Sequence, residues 1–163
     1  YNLPEAQLDR FMLKVNVDYP SYKEEKDMYK KVISPSQIEV KKVLNKKDIF
    51  EIQELLKKIY ISDNIFDYVT NIIDATRNPE KYNLAKLSKY ITYWVSPRWG
   101  LSLLNASKVL AIMENRSYVL PEDIKKISNA VLSHRLVLSY EAIADDIKSE
   151  NIVEKIISKI EVI

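Results

Sequence analysis

The chain has no cysteine, one histidine and a single glycine, Gly100, among its 163 residues. Without cysteine there is no disulfide framework, thiol catalysis or cysteine-type zinc site, and one histidine cannot build a histidine-rich metal centre. A reducing cytoplasm fits that composition, and cytoplasmic localisation is the expectation. The shortage of glycine excludes more. A phosphate loop uses paired glycines so that backbone N–H groups can close around phosphate, so no complete phosphate-loop nucleoside triphosphatase lies in this chain. Charge of one sign is lacking too: 25 Lys and Arg face 23 Asp and Glu, a net of +2. That is too little to hold nucleic acid or an anionic membrane by electrostatics alone. No apolar run approaches the roughly 20 residues that span a bilayer, and no basic start leads into an apolar stretch as in a signal peptide. Neither nucleic acid nor membrane is an expected partner. What remains, 47% hydrophobic and 29% charged residues, suits one globular domain with a real core.

Read in order, the pattern is largely helical. Pro4 and Glu5 suit the first turn of a short helix. Phe11, Leu13, Val15 and Val17 then alternate with polar or less buried types up to Tyr19-Pro20, the period of a half-buried strand. A single strand leaves its ladder groups unpaired, so its partners are expected outside this chain. Ser21 and Glu24 form a capping-box signature ahead of a helix to about Ile33, stopped by Ser34-Pro35-Ser36. A linker with Ile38, Val40 and Val43 leads to an amphipathic helix after Asn45, with Ile49, Ile52, Leu55, Leu56 and Ile59 at helical spacing. Another runs from Ser62 to about Arg77, with Ile65, Phe66, Val69, Ile72 and Ile73 inward, until Asn78-Pro79 breaks it. Residues 80–94 fit a short helix or an extended connection equally. Ser96-Pro97 opens a long apolar helix ended by Asn115-Arg116-Ser117, Pro121 opens the next, and a last helix spans Ser149 to about Ile160. The expected fold is mainly α: a helical bundle preceded by one short helix and a single strand.

Four segments carry a resemblance. Pro4-Glu5-Ala6-Gln7-Leu8-Asp9-Arg10-Phe11 resembles the arginine-finger segment of MoxR-family AAA+ ATPases. Ser96-Pro97-Arg98 is similar to the Ser-Pro-Arg of the MoxR lid, and the blocks Tyr118 to Ile124 and Val131 to Leu136 resemble successive parts of that lid. The resemblance implies that residues 1–20 end an α/β ATPase core whose earlier part is missing, and that 21–163 form the helical lid, with 21–93 matching more weakly. The first residue being Tyr1, a boundary set by engineering or proteolysis is expected.

By the same resemblance Arg10 is the arginine finger, reaching in trans to the γ-phosphate held by a neighbouring subunit, and Arg98 is sensor 2, in cis or in trans. A guanidinium suits both tasks because it stays charged and offers a planar fork of donors to phosphate oxygens. Arg135 is a third candidate for nucleotide contact, beside the alternative of a salt bridge with Glu141 or Asp145. Arg10, for its part, has the alternative of pairing with Glu5 or Asp9. His134, with no nucleophile nearby in sequence, is read as structural, and Asp145-Asp146 as solvated helix surface. Trp94 and Trp99 depart from the family pattern, which has a glycine two residues before the serine and a small residue after the arginine.

The implied parent would use ATP and Mg2+ to drive chaperone-like remodelling or assembly of partner complexes, as a homo-oligomeric ring, hexameric as is usual for AAA+ proteins, and with a von Willebrand factor A domain protein as a partner. The chain alone is expected to be inactive. Alternatives are the lid of a magnesium-chelatase-type subunit and a stand-alone helical protein-binding module, against which the unpartnered strand argues.

Overall fold

The computed structural model describes residues 4–34, 40–93 and 96–162. The expected helix stop at Pro35-Ser36, the linker residue Ile38 and the unusual Trp94 lie outside the described residues. By backbone proximity the chain forms two compact units, one of residues 1–14 with 55–163 and one of residues 15–54. The division expected from sequence, at residue 20, concerns descent from a core and a lid, and stands as a proposal beside this geometric grouping.

In the larger unit a short helix, α1 (Glu5–Leu8), precedes the main helices α4 (Asp63–Arg77), α5 (Arg98–Met113), α6 (Pro121–Leu132) and α8 (Ser149–Lys159), with a small α7 (Tyr140–Ala144) before the last. The core is built where the apolar stripes of these helices meet. Ile65, Val69 and Ile72 of α4, Leu103 of α5, Ile124 and Val131 of α6, and Ile152 and Ile156 of α8 are all buried in one cluster. Their recurrence at three and four residues is what puts them on one face. Phe66, expected inward, is 45% exposed, because it falls just off the α4 stripe.

Helix ends follow local chemistry. Asn115 adopts φ 55°, the left-handed geometry that closes a helix, and Arg116 N–H returns to Ala111 O at 2.8 Å. Arg116 then grips Asp123 with two bonds, of 2.9 and 2.6 Å, while Asp123 accepts from Leu120 N–H at 2.9 Å. This buried carboxylate fixes the α5–α6 connection and caps the start of α6. Gly100 lies inside α5 against α4. A Cβ there would stand 3.5 Å from Val69 and 3.7 Å from Ile73, ordinary contact distances.

The segment that sequence left open, 80–93, becomes two 3₁₀ turns, Pro79–Tyr82 and Ala85–Tyr90, and a strand, β1 (Ile91–Tyr93), antiparallel to β2 (Val137–Leu138). Asp145 pins this region by accepting from Lys89 Nζ at 3.1 Å and Tyr90 OH at 2.8 Å, so it does more than face solvent.

Residues 11–20, expected as a strand, form neither strand nor helix. Alternation alone does not make a ladder, since each strand needs a neighbour to take its N–H and C=O groups. Among the described residues the one backbone bond from this segment to a later element runs from Lys14 N–H to Ala130 O at 2.8 Å.

The smaller unit contains α2 (Tyr22–Ile33) and most of α3 (Lys46–Lys58). The expected capping box of α2 is present, with Ser21 N–H donating to Glu24 at 2.8 Å. Asn45 caps α3 by accepting from Lys47 N–H at 2.8 Å and Asp48 N–H at 3.1 Å. Both helices are amphipathic, yet neither buries a residue.

Packing makes opposite predictions for two neighbours on α5. Leu103, fully buried, should cost about 2–5 kcal/mol of unfolding free energy when changed to alanine. Gly100→Ala should instead add about 0.5–1 kcal/mol, because the helix gains propensity without a clash. Urea unfolding of both variants checks the pair.

Candidate functional site

The site forms where the amino-terminal segment meets the start of α5 and the end of α6, all within the larger unit. Pro4 O accepts from Gln7 and Leu8 N–H at 2.8 and 3.1 Å, starting α1, and the turn continues as Arg10 and Phe11 N–H bond to Gln7 and Leu8 O at 3.1 Å each. Asp9 therefore sits on a hydrogen-bonded turn with a defined direction. On the other side, Ser96 O accepts from Trp99 N–H at 3.1 Å and Ser96 Oγ from Arg98 N–H at 3.4 Å, which sets the first turn of α5. The helix begins one residue later than Ser96-Pro97 implied, within the usual latitude of helix ends.

Two consecutive residues of that turn point differently. Trp99 is buried, while the Arg98 side chain is 72% exposed. Asp9 meets both: one oxygen accepts the Trp99 indole N–H, and the other lies 3.8 Å from Arg98 Nη1. Trp99, which departs from the family's small residue after the arginine, is turned into the fold.

The last turn of the site is the 3₁₀ stretch Ser133–Arg135 that follows α6. Arg135 is only 7% exposed and its guanidinium carbon lies 5.3 Å from the centre of the Trp99 ring, a cation–π contact. Its Nη2 donates to Phe11 O. Its Nε and Nη1 are buried without hydrogen-bond partners. Burial lowers the pKa of this guanidinium, and the Asp9 charge works in the opposite direction. The salt bridges to Glu141 or Asp145 considered for Arg135 do not form, because the side chain turns inward and Asp145 is held by Lys89 and Tyr90. His134 Nε2 is 3.3 Å from Phe11 O, which can only accept, so this nitrogen is assigned the proton.

Arg10 projects into solvent and has no ion-pair partner among the described residues. The pairing with Asp9 that was its alternative is not made, since Asp9 is committed to Trp99 and Arg98. Beside α5 a groove lined by Val69, Ile73, Gly100, Leu101 and Leu104 opens next to Pro97. Among the described residues no three His, Asp or Glu side chains converge as a metal ligand set. Exposed guanidinium groups at 10 and 98 have the chemistry to meet phosphate oxygens, whereas no described residues are assigned to Mg2+.

The chain is similar to known proteins in both sequence and structure. A family profile described as the AAA lid domain matches residues 86–156. The chain is 36% identical to the chaperone MoxR1 of Mycobacterium tuberculosis over 161 residues, covering 98% of this chain and 42% of that protein. It is 28% identical to the MoxR protein of Paracoccus denitrificans over 152 residues, covering 85% of this chain and 44% of that protein. The crystal structure of a putative ATPase from Cytophaga hutchinsonii superimposes with a TM-score of 0.94 at 37% identity, covering all of this chain and 50% of that one. The chain belongs to the MoxR-type AAA+ proteins and carries their lid. It spans about half the length of these relatives or less.

Sequence singled out Arg10, Arg98, Arg135 and His134, and the structure brings Arg98 and Arg135 to Asp9 and Trp99 while Arg10 stays outside. The Asp9–Trp99 pair was missed. Ninety positions separate the two residues, and no local pattern links them.

His134 gives a pH prediction. Burial lowers its pKa from 6.5, with the Arg135 and Lys14 charges adding to that direction. The unfolded chain therefore binds the proton first, and stability falls as pH drops below about 6.5. Urea midpoints between about pH 7.5 and 5.5 should decline in the parent chain and decline less in His134→Gln.

Proposed function

We propose that this chain is the lid part of a MoxR-like AAA+ ATPase that binds and hydrolyses ATP in its full-length form, using the energy for chaperone-like remodelling or assembly of partner complexes. The observation that carries the reading is that two exposed arginines, Arg10 and Arg98, stand at one docked turn and one helix start, on a chain whose relatives include MoxR proteins and a putative ATPase. Arg10 serves as the finger acting in trans, where a guanidinium stabilises charge developing on the transferred phosphoryl group. Arg98 serves as sensor 2 at a helix N-terminus, where free N–H groups also favour an anion. Arg135 acts through Phe11 and Trp99, holding the finger segment in place, rather than by touching nucleotide.

ATP and Mg2+ belong to this proposal, with the phosphate loop and the metal ligands supplied by parts of the ATPase other than this single-glycine chain. A ring of subunits, hexameric as AAA+ rings generally are, follows from a finger that has its target on a neighbour. A von Willebrand factor A domain partner and a cytoplasmic location complete the reading by family analogy.

The test is steady-state turnover in the full-length ATPase. Arg10→Ala should lower kcat on the order of 10³-fold with little change in ATP affinity, and Arg98→Ala should lower turnover and weaken nucleotide binding together. Unchanged turnover in both variants, or enzyme-like hydrolysis by the 163-residue chain alone that survives both substitutions, would show the assignment to be wrong.

A further inference from the structure

The carboxylate of Asp9 is held asymmetrically. One oxygen accepts the indole N–H of Trp99, a donor that has no other partner and lies in a buried ring, so losing this bond would leave an unsatisfied polar group inside the fold. The second oxygen is 3.8 Å from Arg98 Nη1, beyond hydrogen-bond length, and the Arg98 side chain is 72% exposed. One contact is anchored and the other is open to exchange. A third group completes the arrangement: Arg135, whose Nε and Nη1 are buried without partners and whose charge interacts with Asp9. Arg10 follows Asp9 directly in the chain, and Phe11 O is bonded to Arg135.

We propose that Asp9 is a positioning residue that couples Arg98 to Arg10, giving up its contact with Arg98 when a phosphate-type oxyanion arrives there and shifting toward Arg135. This rests on the assignment of Arg98 as a phosphate-sensing residue. A bidentate oxyanion competes well for a guanidinium that a carboxylate holds only loosely. Once displaced, the carboxylate has a second guanidinium within its electrostatic reach, one that is buried and short of acceptors, so the two arrangements are discrete alternatives. Because Trp99 keeps hold of one oxygen, the shift takes the form of a rotation about a fixed point. The backbone of Asp9, and with it the direction of Arg10, follows that rotation. The state of the phosphate at one lid is thereby passed to the residue that serves the adjoining subunit.

The experiment is an NMR titration of this chain with inorganic pyrophosphate at constant ionic strength, following the Arg98 Nε–H, the Trp99 indole N–H, assigned through Trp99→Phe, and the backbone amides of Arg10 and Phe11. All four should shift with one dissociation constant. In Asp9→Asn, whose side-chain oxygen can still accept from Trp99, the Arg98 response should persist with affinity raised roughly two- to fivefold, while the Arg10 and Phe11 responses disappear. Glu141→Gln, an equal change of charge on α7, should leave the coupled response intact. If Arg98 responds while Trp99, Arg10 and Phe11 stay fixed, the coupling is wrong and the assignment of Arg98 stands. Equal Arg10 and Phe11 responses in the parent chain and Asp9→Asn overturn the coupling as well. No response at Arg98 removes the sensing assignment and this proposal with it.

Discussion

The Arg135 guanidinium under the Trp99 ring is the contact on which the site depends. A buried cation is tolerable only where its hydrogen-bonding groups and its charge are met, and here they are met in part by the carbonyl of Phe11, the face of Trp99 and the nearby charge of Asp9. Each of these belongs to, or touches, the amino-terminal segment. The cost of burying Arg135 is therefore offset by docking that segment, and the segment owes its direction to the same residue. Trp99 has a double role, as the surface on which the guanidinium rests and as the donor that fixes Asp9.

This arrangement needs a rigid support. The first turn of α5 is aligned by the shared core of α4, α5, α6 and α8. The Ser133–Arg135 stretch continues directly from α6, so the geometry of Arg135 inherits the packing of Val131 and Leu132. At the far end of α5 the Arg116–Asp123 pair locks the turn into α6. Core packing thus sets the distance between Arg98 and Arg135 before either meets the amino-terminal segment.

Helix positions were legible in the sequence because caps and apolar spacing act locally. Ser21 with Glu24, Asn115 after α5 and Pro121 at the start of α6 each work within a few residues, and each is found where its chemistry puts it. The resemblance of residues 4–11 and 96–98 to MoxR proteins identified the family from residue identity alone. Contacts between distant segments were not legible. The alternation after Phe11 is real, yet a strand depends on a neighbour that local pattern cannot supply. Arg135 offered several acidic partners nearby in sequence, while its actual acceptor is the carbonyl of Phe11. The apolar face of α3 was read correctly as amphipathic, but amphipathicity says only that a face can be buried, and neither α2 nor α3 buries a residue.

Docking of the amino-terminal segment on the lid through Trp99 is tested most directly by nuclear Overhauser contacts from the Trp99 indole proton. Cross-peaks to protons of Asp9 are expected, at an intensity that reflects the Asp9–Trp99 hydrogen bond, with their loss in Trp99→Phe. An indole proton in rapid exchange with water and without contacts to residues 8–11 would contradict it.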